Sequence, residues 1–188
     1  MTRPQACLRV GAAVLLCLTA ACSRETVEKP GATPPSKVLA LLEAPGQEAD
    51  LEAWRAISPE PMPELLRIAG DESRSLRLRV RATDALAAFP TDAVRDFLVN
   101  VLDEEVRVPV CRAAVRSLVK GWGDHALPLL SPRLKHREPL VREAMVYSLE
   151  ALATPKARDM LAVMAAGETH PVVRQSISAA QYKLNRQE

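Results

Sequence analysis

The stretch "VREAMVYSLEAL" (141–152) decides the fold. Val141, Met145, Ser148, Leu149 and Leu152 stand at offsets 0, 4, 7, 8 and 11, which wind onto one face of an α-helix. Three other stretches carry the same pattern: "LRVRATDALAAF" (78–89), "VCRAAVRSLVKG" (110–121) and "VRQSISAAQYKL" (173–184). Their starts lie 32, 31 and 32 residues apart. Offset 0 holds Leu78, Val110, Val141 and Val173, and offset 4 holds Ala82, Ala114, Met145 and Ile177. Offset 7 holds only tiny residues, Ala85, Ser117, Ser148 and Ala180, which lets a neighbouring helix come close. Offset 8 reads Leu86, Leu118, Leu149 and then Gln181; offset 11 reads Phe89, Gly121, Leu152 and Leu184.

A second helical pattern precedes each of these at the same period. "MPELLRIAG" (62–70), "VRDFLVNVL" (94–102), "ALPLLSPRL" (126–134) and "ARDMLAVMA" (157–165) align Leu65, Phe97, Leu129 and Met160, followed by Leu66, Leu98, Leu130 and Leu161. The unit is therefore an antiparallel helix pair of about 32 residues, too small to bury its apolar side without a neighbour. Upstream, "KVLALLEAP" and "LEAWRAIS" read as a degenerate first pair carrying Trp54 and Ile57, as terminal units of a stack are commonly atypical. Aromatic residues are few and no alternating β-branched run appears, so strands are not expected.

The segments resemble short HEAT-type repeats of the kind first noted in phycobilin lyases, whose second helix opens on Val-Arg. Leu78-Arg79, Val141-Arg142 and Val173-Arg174 carry the likeness, and the second unit departs with Arg112 one place late. Tetratricopeptide repeats place Trp, Gly and Tyr at offsets that are missing here. The resemblance implies a right-handed, armadillo-like all-α solenoid of about five pairs: 36–58, 59–90, 91–121, 122–153 and 154–188. It also implies that Arg79, Arg142 and Arg174 form a structural ladder tying adjacent turns. Acids precede each arginine near its turn: Asp71 and Glu72, Asp103 and Glu104 (before Arg112), Glu138, and Glu168. A planar guanidinium can bridge a carboxylate and a carbonyl at once.

The N-terminus answers a different question. Arg3 and Arg9 are followed by an apolar or small run from Val10 to Ala21, shorter than a membrane-spanning helix requires. Leu18-Thr19-Ala20-Ala21-Cys22 resembles the lipobox of bacterial lipoproteins. That resemblance implies a signal peptide over 1–21, lipidation of Cys22 with palmitate-type acyl chains, and, with Ser23 following, an outer-membrane, periplasm-facing position. Several acyl chains hold a protein on a bilayer where one would not. Residues 22–35 are polar and proline-bearing, and "SRETVEKPGATPP" (23–35) reads as a tether able to span about 40 Å. Cys7 and Cys17 would leave with the signal, which leaves Cys111 as a lone, core-facing thiol.

Charge and motif content narrow the function. Residues 1–21 hold two arginines and no acid, so the remainder balances 23 basic against 23 acidic residues. A nucleic-acid partner is not expected, because phosphate binding needs a cationic surplus. His125, His136 and His170 have no metal-spaced partner, and Pro128 and Pro132 would distort the helix between the first two. His170, before Pro171, reads as a polar helix cap. No nucleophile–base spacing, phosphate-cradling loop or cofactor motif appears, so neither an enzyme nor a cofactor is expected.

What remains is shape: second helices side by side, lining a shallow groove suited to a protein or peptide of the cell envelope. Offsets 2, 3, 6 and 9 point toward that groove. They nominate Arg81, Arg112, Arg116, Glu143, Tyr147, Glu150 and Tyr182 as partner-binding residues, with Asp84, Val119 and Gln175 beside them. The alternative expectation is a lyase- or isomerase-like enzyme acting on a bound small molecule, as some relatives of this repeat are.

Overall fold

The computed structural model describes residues 36–45 and 50–186. The expected signal, Cys22 and the tether lie outside the described residues. Ten α-helical segments follow one another: α1 (Lys37–Glu43), α2 (Leu51–Ile57), α3 (Met62–Gly70), α4 (Leu76–Ala85), α5 (Asp92–Glu104), α6 (Val108–Trp122), α7 (Leu127–Leu130), α8 (Pro139–Leu152), α9 (Pro155–Gly167) and α10 (Pro171–Asn185). No strand occurs among the described residues.

Local chemistry fixes the boundaries. Ser36, Asp50, Ser75, Thr91 and Thr154 cap α1, α2, α4, α5 and α9 by accepting a backbone N–H three residues on. α6, α8 and α10 instead carry Pro109, Pro139 and Pro171 in their first turn, where the fixed φ suits the helix and the missing N–H has no partner to lose. Pro128 and Pro132 have the opposite effect. They cut α7 to four residues between 3-10 turns at Gly123–Ala126 and Ser131–Arg133.

The helices stack as a two-layer array. α4, α6, α8 and α10 pack side by side in succession, while α3, α5 and α9 lie against α4, α6 and α10. α1 packs against α4, so the position beside α4 is filled by α1. The offsets read from the sequence take equivalent places. Val110, Val141 and Val173 are buried, as are Ala82, Ala114, Met145 and Ile177, and so are Ser117, Ser148 and Ala180. Leu78 and Ala85 are only half-buried, because the seven-residue α1 covers part of α4. The tiny slot allows intimate contact: Ser117 Oγ donates to Thr83 O at 2.7 Å. At Gly121 a Cβ would stand 3.2 Å from Ala87 O, so a larger residue there would press on backbone.

The far end is capped by composition. Thr83, Val115 and Val146 are buried at offset 5, and Leu86, Leu118 and Leu149 at offset 8. α10 substitutes exposed Ser178 and half-buried Gln181, so its outward side is polar. The fold is an all-α solenoid with one core running through successive pairs.

Candidate partner-binding surface

Arg79 and Arg142 occupy the same place on α4 and α8. Arg79 Nε donates to Ala69 O at 3.0 Å, and its guanidinium pairs with Glu105, both side chains being less than a tenth exposed. Arg142 Nη1 donates to His136 O at 2.7 Å, and its Nε and Nη2 donate to the two oxygens of Glu168 at 2.7 and 2.8 Å. Each guanidinium thus takes a carbonyl of its own hairpin and a carboxylate 26 residues on. The sequence reading paired each arginine with a preceding acid; the structure pairs it forward, because the carbonyl fills the guanidinium edge facing its own turn. Glu168, expected beside Arg174, belongs to Arg142. Arg174 is exposed and forms no ion pair among the described residues, none of which lies 26 positions beyond it.

The Arg142 guanidinium, against the opposing pull of burial and with the His170 and Thr169 N–H groups adding, holds the Glu168 carboxyl down at about 2. Between these two rungs the matching positions are Cys111 and Arg137. Cys111 takes over only the carbonyl role, its thiol facing Glu105 O at 3.3 Å and Val101 O at 3.7 Å. Burial pushes that thiol above its ordinary pKa. The adjoining repeats are linked instead by Arg133, whose Nε donates to Asp103 Oδ1 at 2.7 Å and whose second N–H reaches Oδ2. Sequence reasoning missed Arg133, which sits in the proline-broken segment.

The second helices pack on one another far more closely than the first helices do, which makes theirs the tighter, inner layer. Along α4 and α6 two of its arginines are engaged. Arg116 forks onto Asp84 with three contacts of 2.9–3.1 Å, and Arg81 Nη1 donates to Ala44 O at 2.5 Å. Val119, expected in the groove, is buried. Its offset lies at the seam with the next helix, as Glu150 on α8 shows by accepting from Lys183 of α10 at 2.6 Å.

Along α8 and α10 the inner layer turns apolar. Leu140, Tyr147 and Val172 are 48, 49 and 49% exposed and Tyr182 is 62% exposed, an unusual concentration on two neighbouring helices. Tyr182 accepts from Arg186 Nη1 at 3.1 Å, with the guanidinium carbon 5.5 Å from the ring centre. Tyr147 and Ser176 both donate to Glu143 Oε1, each at 3.2 Å, and bridge α8 to α10. Leu140 and Val172 escaped the sequence reading because they stand one residue ahead of the first core slot. The signal was present: Leu140, Glu143 and Tyr147 follow i, i+3, i+7 spacing.

A hollow of about 760 Å³ lies where the short first helices leave α4 and α6 uncovered. Leu41, Leu51, Trp54, Ala87 and Ala88 line it, with Asp50, Arg81, Asp84 and Lys120 among its polar groups.

Residues 103–181 match the family model for HEAT repeats. The match runs from the end of α5 into α10, and α3–α4 ahead of it continues the same stack. No curated protein and no solved structure shows significant similarity to the chain. HEAT repeats generally mediate protein interactions, and this HEAT-like array is a helical scaffold of the kind that takes a protein partner.

The histidines stay apart. His125 is exposed next to the α7 hairpin. Burial lowers the pKa of His136, whose Nδ1 accepts from Glu138 N–H at 3.1 Å. His170 stands at the N-cap of α10, but its side chain makes no capping bond and its Nδ1 is buried without a partner. The expected polar cap is therefore absent, and the His170 N–H itself donates to the Glu168 carboxylate at 2.8 Å. Among the described residues, no group of three or more His, Cys, Asp or Glu side chains gathers to hold a metal. No described helix is long and apolar enough to cross a membrane.

Proposed function

We propose that this chain is a lipid-anchored scaffold of the bacterial cell envelope that holds another protein against the inner face of α8 and α10. The observation that carries the reading is the cluster of Leu140, Tyr147, Val172 and Tyr182 left exposed on two neighbouring helices of the inner layer. Tyrosine supplies a large, rigid contact at low entropic cost, and a central apolar cluster with a polar rim is how protein interfaces concentrate their energy. Cys22, behind its apolar run, would carry the acyl chains, and residues 23–35 would let the solenoid stand clear of the headgroups.

Two measurements test it. Mass spectrometry of the mature N-terminus, with membrane fractionation, should find an acylated Cys22 in the outer membrane; an unmodified Met1 start in the cytosol contradicts the anchor. Crosslinking in cells should yield a specific adduct that Tyr147→Ala with Val172→Asp abolishes and that Val163→Asp, on α9, leaves intact. An adduct indifferent to both contradicts the surface.

The second reading, a small-molecule-binding protein, draws on the 760 Å³ hollow, whose size lies within the usual range of ligand pockets. A stoichiometric small molecule in native mass spectra of the purified protein would favour it.

A further inference from the structure

Five acids of this solenoid pair with a cation of an adjoining repeat. Glu105 pairs with Arg79, Asp103 with Arg133, Glu168 with Arg142, Asp84 with Arg116 and Glu150 with Lys183. Glu143, half-buried on the inner layer, has no cation partner among the described residues; only the Tyr147 and Ser176 hydroxyls serve it, both at one oxygen. Arg112 stands at the same offset on α6, the helix packed beside α8. It forms no ion pair among the described residues, and its Nε is buried with no acceptor. The two helices pack directly, so the same offset on each brings an unpaired acid and an unpaired base to neighbouring positions of the inner layer. One turn along α8, about 5 Å from Glu143, Leu140 is exposed, with Val172 across on α10.

We infer that this face takes a segment of a partner protein carrying a basic residue against Glu143, an acidic residue against Arg112 and an aliphatic side chain on Leu140 and Val172. The inference rests on the scaffold reading above and adds the chemistry of the partner. Opposite charges on the incoming segment supply the counter-ions that the fold withholds, and the fixed spacing sets register and direction. A partner of either single sign leaves one of the two charges desolvated and unpaired.

The test is selection of random 16-residue peptides displayed on phage against the full chain, with counter-selection on the Tyr147→Ala/Val172→Asp variant. Enriched peptides should combine one basic and one acidic residue with a nearby aliphatic. The best of them should bind at least tenfold more weakly to Glu143→Gln, and should recover on Glu143→Lys when its basic residue is exchanged for glutamate. Glu143→Gln alone should melt within about 2 °C of the parent, since no folded-state ion pair is lost. Peptides that enrich without this charge pattern, or that ignore Glu143→Gln and Arg112→Gln, overturn the inference while leaving the docking face in place. A marked fall in melting temperature assigns Glu143 to the fold and overturns it too. Failure to enrich any peptide sensitive to the double variant overturns both readings.

Discussion

Arg142 and Glu168 meet through two parallel N–H···O contacts of 2.7 and 2.8 Å, and the corresponding positions one repeat earlier hold Cys111 and Arg137. Among the described residues the ladder therefore has two complete rungs with a substituted one between them.

Removing Arg142 leaves Glu168 almost wholly buried without its cation. Arg142→Ala should lose about 3 kcal/mol in urea unfolding at pH 7. The Glu168 carboxyl titrates at about 2 in the folded protein and near its ordinary 4.5 when unfolded. Its contribution is therefore fully present above about pH 4.5 and disappears as pH falls toward 2. The parent should lose stability across that window more steeply than Arg142→Ala.

The substituted rung can be rebuilt. Cys111→Arg alone buries an unpaired charge beside Arg137 and should destabilise strongly. Adding Arg137→Glu should recover at least 1 kcal/mol in a double-mutant cycle. No recovery would show that positions 111 and 137 do not face each other as Arg79 and Glu105 do.

Because burial raises the Cys111 pKa and shields its sulfur, the native thiol should be unreactive toward a disulfide reagent at pH 7.5 and titrate fully in denaturant. Rapid labelling of the folded protein would contradict the core position of α6.

Interior and terminal helices differ at offset 5, where Thr83, Val115 and Val146 are buried and Ser178 is exposed, while Ser148 is buried in the tiny slot. Ser148→Leu should cost about 1–3 kcal/mol through overpacking against the neighbouring helix. Ser178→Leu, on the exposed side of α10, should change stability by less than about 0.5 kcal/mol. Equal losses would deny that α10 is a cap.

The helix pairs were legible in the sequence because each is local: offsets 0, 4, 7, 8 and 11 are properties of one helix, and four copies reinforce a weak signal. The direction of the arginine rungs was not legible. Choosing between Asp71 and Glu105 as the partner of Arg79 requires knowing how one hairpin leans on the next. Val119 failed for the same reason, since a seam belongs to tertiary geometry. Leu140 and Val172 were not singled out because each stands outside the five core offsets, although Leu140 shares i, i+3, i+7 spacing with Glu143 and Tyr147. Cys22 was read by resemblance and lies outside the described residues.

The most direct test of the docking face is photocrosslinking in cells from single positions. A photoreactive residue at 147 or 172, on the inner layer, should give the same discrete adduct, and one at Val163, 63% exposed on α9, should give none. Adducts from 163 with nothing from 147 or 172 would place the partner on the opposite face and contradict the account.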